Sequence, residues 1–256
     1  MSAGVPVRLR SIPLWGEKWG KEELEAFQAQ DDRTYRRIVE LEALVDDELW
    51  FPSWPKALVH GVSIGELQRN SWPAIVGVDL SGAKRKGNAI VVLKLNPSTR
   101  RRHVVEVRRG AWRSHETALQ LQQVEELYRP LVFRVENNGY QNAIIEWIQA
   151  LPGSFDFWAK VEATTTGANK VDATLGLRSL QVEFHNGAWV VPADEFASHP
   201  PGHSCPWCVL NREFSTYPQA GEADTVMATW FAKSAAEEYA NVIASAASPI
   251  GNLRSR

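Results

Sequence analysis

Two cysteines in 256 residues, Cys205 and Cys208, are too few for a disulfide scaffold. Long apolar runs are missing as well: none approaches the ~18 to 20 residues that a membrane helix needs. The opening MSAGVPVRLRSIPLWGEKW carries arginines but no apolar segment, so no secretory signal is expected and the expected location is cytoplasmic. Charge of one sign is lacking too. Lys and Arg number 28 against 30 Asp and Glu, a formal net charge of -2, which excludes the overall basic footprint of a stand-alone nucleic-acid binder. Any contact with DNA or RNA must then use local patches. Nor is there a P-loop: GAKRKG is rich in glycine and lysine but lacks the GK[ST] ending that phosphate and Mg²⁺ binding require. No internal repeat or low-complexity segment is visible, and 17 Gly and 14 Pro are ordinary amounts that argue against a disordered or collagen-like chain.

What is present is enough chain for a full core, as one domain or two small ones. Eleven tryptophans are many; most are expected in the core, with a few marking contacts with a partner. Residues 1–20 read as irregular. Lys21 to about Leu49 shows a charged helical period in Leu24, Phe27, Tyr35, Ile38, Leu41 and Leu44. FPSWP breaks it, and residues 56–72 read as a linker or an edge element.

A β-rich block follows. Ala74–Leu80, Asn88–Leu95 and Arg102–Arg108 are rich in Val and Ile and joined by short turns, which predicts an antiparallel meander. Ser114 is the expected N-cap of a helix to about Tyr128, with Thr117 in place of a capping-box Glu. Leu131–Val135 is a predicted fourth strand, Asn138–Ala150 a helix and Phe155–Val161 a fifth strand. A helix from about Asp172 to Phe184, a small apolar pair around Asn186-Gly187 and a final helix from about Ala223 to Tyr239 complete the pattern. The order β-β-β-α-β-α-β is the ribonuclease H topology: an α/β fold with a central mixed sheet flanked by helices. Topology alone does not give function.

That strand order explains an otherwise odd residue. In AIVGVDLSGAKRKGNAIVVL a lone acid, Asp79, ends an apolar strand. With the first and fourth strands side by side, Glu136, which follows the fourth, projects at the same sheet edge. Asp224 opens the final helix, and Glu222 lies two residues earlier. Each acid alone is an ordinary turn, loop or helix-start charge. Gathered, they would repel one another without a cation, and hard oxygen ligands select Mg²⁺ or Mn²⁺. Two such ions about 3.5–4 Å apart activate water and stabilise the leaving oxygen in phosphodiester hydrolysis.

Four stretches here resemble the C-terminal nuclease domain of tailed-phage terminase large subunits, the DNA-packaging motor proteins. VGVDLSGAKRKGNAIVVL resembles the first-acid motif and its hairpin, and FRVENNGYQNAIIEWI the second-acid motif. TTTGANKVDATLGLRSLQVEFHNGAWVVP is similar to the family's Thr-rich, Asn-Lys-containing loop and helix, and FSTYPQAGEADTVMATWFA to the third-acid motif. Upstream, LWGEKWGKEELEAF and DDELWF are similar to the lead-in to the nuclease. The resemblance runs from about residue 14 to 240. It implies a metal-dependent DNA endonuclease that cuts concatemeric viral DNA with little sequence preference, with ligands at Asp79, Glu136 and Asp224. It also implies double-stranded DNA as substrate and a packaging ATPase, portal or small terminase subunit as partner. Two positions depart from the family: Ala223 and Met227 stand where many members have acids, leaving Glu222 as a candidate further ligand. The absent P-loop implies that the motor ATPase is not in this chain.

Other residues carry separate chemistry. HPPGHSCPWC places His199, His203, Cys205 and Cys208 in ten residues, enough for a closed tetrahedral Zn²⁺ site with a structural role. A redox CxxC and plain surface residues are the alternatives, although a thioredoxin-type CxxC opens a helix and this setting reads as a Pro-rich loop. Lys84, Arg85 and Lys86 in the first hairpin, Lys170 in the GANK loop, and Arg100, Arg101, Arg102, Arg108 and Arg109 around the third strand offer phosphate contacts. The same charges would also serve solubility.

The expected layout is a helical lead-in or linker over 1–70, the nuclease domain over 71–241 and a tail over 242–256. Two other readings compete with the nuclease. An actin-like ATPase or sugar kinase shares the fold but needs two such domains, and ATP binding would identify it. A catalytically weak docking module would bind a portal or ATPase partner through the tryptophan-rich N-terminal segment, and it would lack metal-dependent cleavage.

Overall fold

The structure is a computed structural model and describes residues 49–80, 87–136, 141–151, 155–164, 176–219 and 223–240. All of them fall in one compact unit, Leu49–Arg256. The predicted helix over Lys21 to Leu49 lies almost wholly outside the described residues, as do the irregular first twenty residues and the C-terminal tail.

In chain order, the strands are β1 (Leu58–Val59), β2 (Ala74–Asp79), β3 (Asn88–Leu95), β4 (Arg102–Gly110), β5 (Phe133–Glu136), β6 (Val161–Thr164) and β7 (Trp189–Pro192). The helices are α1 (Ile64–Arg69), α2 (Ser114–Tyr128), α3 (Gln141–Ala150), α4 (Phe155–Trp158), α5 (Arg178–His185), α6 (Asp194–Ala197), α7 (Pro206–Thr216) and α8 (Asp224–Glu238). They surround one seven-stranded sheet of order β1-β7-β4-β3-β2-β5-β6. β2, β3 and β4 form the antiparallel meander read from the sequence, and β5 and β6 add in parallel beside β2. These five strands have the ribonuclease H-like topology. β7 and β1 extend the sheet past β4, both in parallel.

β2 and β3 are buried along their whole length, which is why they read as unbroken Val/Ile runs. Each sheet face carries its own core. On one face, α5, α7 and α8 pack with the 3₁₀ turn Trp54–Ala57 around Ile75, Val91, Phe184, Trp189, Phe214 and Phe231. Trp54 stacks on Phe214 with centroids 4.3 Å apart. On the other, Leu121 and Val124 of α2 and Ile144 and Ile148 of α3 pack on Val76, Val78 and Phe133. Thus Phe51, Trp54 and Ala57, which precede residue 71, are part of the first core.

Sheet and helix approach very closely at Gly77. A Cβ there would lie 1.9 Å from the Ala228 carbonyl oxygen and 2.5 Å from the Ala232 nitrogen. Only glycine lets α8 lie this deep on β2.

Several expectations are corrected. The fifth strand is Val161–Thr164, and Phe155–Trp158 is a helical turn. Phe157 packs edge-on to Phe133 at 4.9 Å and the chain enters the sheet only after Lys160, whose carbonyl accepts from Phe133 N. α2 has Arg113, not Ser114, at its N-cap, and Glu116 reaches back to the Arg113 amide at 2.7 Å. Around Asn186-Gly187 the first apolar half is helix α5 and the second is β7. Gly187, at φ 66, makes the left-handed exit between them.

Candidate active site

Asp79 is the last residue of β2 and Glu136 the last of β5. The strands are parallel neighbours with Val78 opposite Val135, so the two acids come next on adjacent strands, whose backbones lie about 4.8 Å apart. Their faces follow from alternation. Gly77 faces α8, so Asp79 does too. Arg134 pairs with Glu238 of α8, so Glu136 is on that same face. Asp224 is the first residue of α8. The three acids therefore share one corner, made by two strand ends and a helix start. Asp79 is only 8% exposed, while Glu136 is half-buried.

A cation of the protein already stands in this corner. Arg109 of β4 lies opposite Ala89, which lies opposite Asp79, so Arg109 and Asp79 project on the same face. Its Nη2 donates to Asp224 Oδ2 at 3.0 Å, and its Nε is 3.9 Å from Glu213 Oε1. Glu213 belongs to α7 and is fully buried. Its Oε2 accepts from the Thr225 amide at 2.7 Å, the Thr225 hydroxyl at 2.6 Å and the Val226 amide at 3.4 Å, so it caps α8 from another helix. Burial pushes its carboxyl above the usual range, against the pull of Thr225 and Arg109.

Neither Arg109 as an Asp224 partner nor Glu213 as a cap was read from the sequence. For Glu213 a signal existed. Val209, Leu210, Glu213 and Phe214 are the buried face of α7, so the Glu occupies an apolar-face position.

The three acids offer carboxylate oxygens, which suit a hard divalent cation. Among the described residues these acids do not gather closely enough to form a ligand shell by themselves, and Asp224 is engaged by Arg109. Glu222, Lys84, Arg85, Lys86 and Lys170 lie outside the described residues. Four of the five other candidate arginines are engaged within the protein. Arg101 donates to the Gly187 and Trp189 carbonyls, Arg102 pairs with Glu183 at 3.0 Å, Arg108 with Glu106 at 2.6 Å, and Arg109 with Asp224.

Among the described residues, the group of three or more His, Cys, Asp or Glu side chains gathered closely enough for a metal is His199, His203, Cys205 and Cys208. Their ligand atoms all lie within 4.8 Å of one another. Contrary to expectation, the CxxC does open a helix: Cys205 is the N-cap of α7, Pro206 follows at N1, and the Cys205 sulfur accepts from the Cys208 amide at 3.4 Å.

No family model matches the chain, and no curated protein matches it significantly. Solved structures with a similar fold include the large terminase nuclease from thermophilic phage G20c. It is 16% identical, with 65% of this chain and 83% of that one covered and a TM-score of 0.45. The g2p (large terminase) nuclease domain from bacteriophage SPP1, with bound Mn, is 14% identical over 69% of this chain and 94% of that one, with a TM-score of 0.47. T. thermophilus RuvC in complex with a Holliday junction substrate is 13% identical over 67% and 97%, with a TM-score of 0.36. Among the described residues no helix is long and apolar enough to cross a membrane.

Proposed function

We propose that the chain is a metal-dependent DNA endonuclease, with Asp79, Glu136 and Asp224 as its acidic ligands and Glu222 as a further candidate. One observation carries this reading: Asp79 and Glu136 end adjacent parallel strands in register, and Asp224 starts the helix packed on that same face. Single acids at strand ends are commonplace; two in register, with a third at the start of the helix on the same face, support a shared ligand role. Bound there, a pair of Mg²⁺ or Mn²⁺ ions would activate water and stabilise the leaving oxygen of a phosphodiester.

The protein's own part is positioning. β2 and β5 fix two carboxylates on rigid backbone, and Arg109 holds Asp224 at the corner with a charge-assisted hydrogen bond. Negative overall charge disfavours unaided DNA binding, so the reading includes a partner that presents the double-stranded DNA. The resemblance to terminase nuclease domains suggests a packaging ATPase, portal or small terminase subunit for that role, and concatemeric viral DNA in the host cytoplasm as the substrate. Lys84, Arg85, Lys86 and Lys170 are the proposed phosphate contacts.

The test is cleavage of supercoiled plasmid with Mn²⁺, Mg²⁺ or EDTA, comparing wild type with Asp79→Asn. Nicking and linearisation that need the metal and vanish in the variant are expected. No cleavage with either metal, from folded protein supplied with a packaging ATPase, would overturn the nuclease and leave the docking module.

A further inference from the structure

The His/Cys group shares no residue with the carboxylate corner, and its geometry is specific. His199 Nδ1 lies 3.3 Å from Cys208 Sγ and 3.5 Å from Cys205 Sγ, and His203 Nδ1 lies 3.5 Å from Cys208 Sγ. Ligands at Zn–S of about 2.3 Å and Zn–N of about 2.0–2.1 Å, at tetrahedral angles, are about 3.6 Å apart. The observed nitrogen–sulfur separations are the edges of such a tetrahedron. Both histidines present the same ring nitrogen, Nδ1, towards the sulfurs. Both cysteines are free thiols. A redox CxxC needs no histidines converging on its sulfurs, and surface residues chosen for solubility would not bring two imidazoles together with centroids 4.3 Å apart.

We propose that His199, His203, Cys205 and Cys208 form a closed structural Zn²⁺ site that pins the start of α7. Two thiolates and two neutral imidazoles complete four-coordination, leaving no open position for substrate, so the metal's contribution is to folding. The loop between α6 and α7 has few apolar anchors of its own: His199, Pro200, Pro201, Gly202, His203 and Ser204 are all exposed. The helix that the site would anchor is, in contrast, central. α7 carries Phe214 against Trp54, Asn211 Oδ1 accepting from Trp54 Nε1 at 2.9 Å, and Glu213 capping α8. Zinc at the first turn of α7 therefore fixes a helix on which the start of α8 depends. This binding does not rest on the nuclease chemistry.

The experiment is metal analysis of the full chain after dialysis against metal-free buffer, with release followed by a zinc-sensitive dye as the thiols are titrated with an organomercurial. The expected result is about one zinc per chain, released in step with two thiols, and a chelator-induced fall in Tm. Cys205→Ser/Cys208→Ser should hold less than about a tenth of that zinc. Should that variant fail to fold, cobalt substitution of wild type decides: thiolate-to-cobalt charge transfer with strong tetrahedral d–d bands is expected. Folded wild type that holds no zinc and takes up neither zinc nor cobalt would overturn the site. So would a Cys205–Cys208 disulfide in the protein as purified, found by mass spectrometry, which would make the pair redox-active instead.

Discussion

Arg109 Nη2 donates to Asp224 Oδ2 at 3.0 Å, joining the end of β4 to the first residue of α8. The same guanidinium places its Nε 3.9 Å from the buried Glu213 carboxylate. Arg109→Ala removes the countercharge from both acids. Removing one member of a buried ionic group leaves the rest uncompensated, so a loss of about 2–3 kcal/mol is expected in urea unfolding. Arg109→Lys, which keeps the charge but not the planar fork, should lose less. A neutral result for Arg109→Ala would show that the bridge contributes nothing to holding the corner.

Gly77→Ala should be among the most damaging single changes in the chain. The new Cβ meets backbone of α8 at Ala228 and Ala232, which cannot swing aside as a side chain could. A cost above about 3 kcal/mol, with loss of near-UV tryptophan signal as α8 lifts, is expected. Gly187→Ala is the control. It meets nothing within 4 Å and has only its φ of 66 to strain, so about 1 kcal/mol is expected. Equal effects at the two positions would refute the steric account of the β2–α8 contact.

Glu213→Ala deletes the cap of α8. Thr225 loses partners for its amide and its hydroxyl, and a loss of about 1–2 kcal/mol is expected. Hydrogen exchange should show it locally, with protection at the Thr225 and Val226 amides falling more than at the middle of α8. Uniform loss along the helix would mean that Glu213 acts through packing alone.

His103 should make the fold acid-sensitive. It is buried on β4 against Trp72, at 4.9 Å between centroids, and faces two cations, Lys94 opposite it in register and Arg101 nearby. Burial, then the charge of Arg101, lowers its pKa from 6.5 to about 4. Between those values the unfolded chain binds a proton that the folded chain refuses. The stabilisation is therefore complete above about pH 6.5 and is lost as pH falls towards 4, by up to about 3 kcal/mol. His103→Gln should flatten that part of the stability–pH curve. An unchanged slope would show that His103 titrates normally.

The parts of the fold that were legible in the sequence are those whose pattern is local. β2 and β3 are long Val/Ile runs closed by Asp79 and Leu95, and α8 is a long, mostly apolar run opened by Asp224. A short apolar run is ambiguous between strand and helix, and FDFWAKV fell the wrong way because its Phe157 packs on Phe133 of β5 from a helical turn. α7 was missed because Pro206 was read as part of a loop, although proline is favoured in a first helical turn and Cys205 caps it. β1, two residues long, has no period to read. Of the corner, Asp79 and Glu136 could be named because strand order brings them together, and Asp224 because it opens the final helix in a stretch that resembles the terminase third-acid motif. Arg109 and Glu213 could not, since their roles exist only once β4, α7 and α8 are packed.

That packing also sets a timetable. Asp79 and Glu136 are made early, but the groove over Gly77 that orients their face is filled by α8, the last element among the described residues. A chain still emerging from the ribosome holds two of the three acids and none of the helix that seats the third. With the chemistry proposed above, a chain that has not yet made α8 cannot cut, and competence waits on that helix.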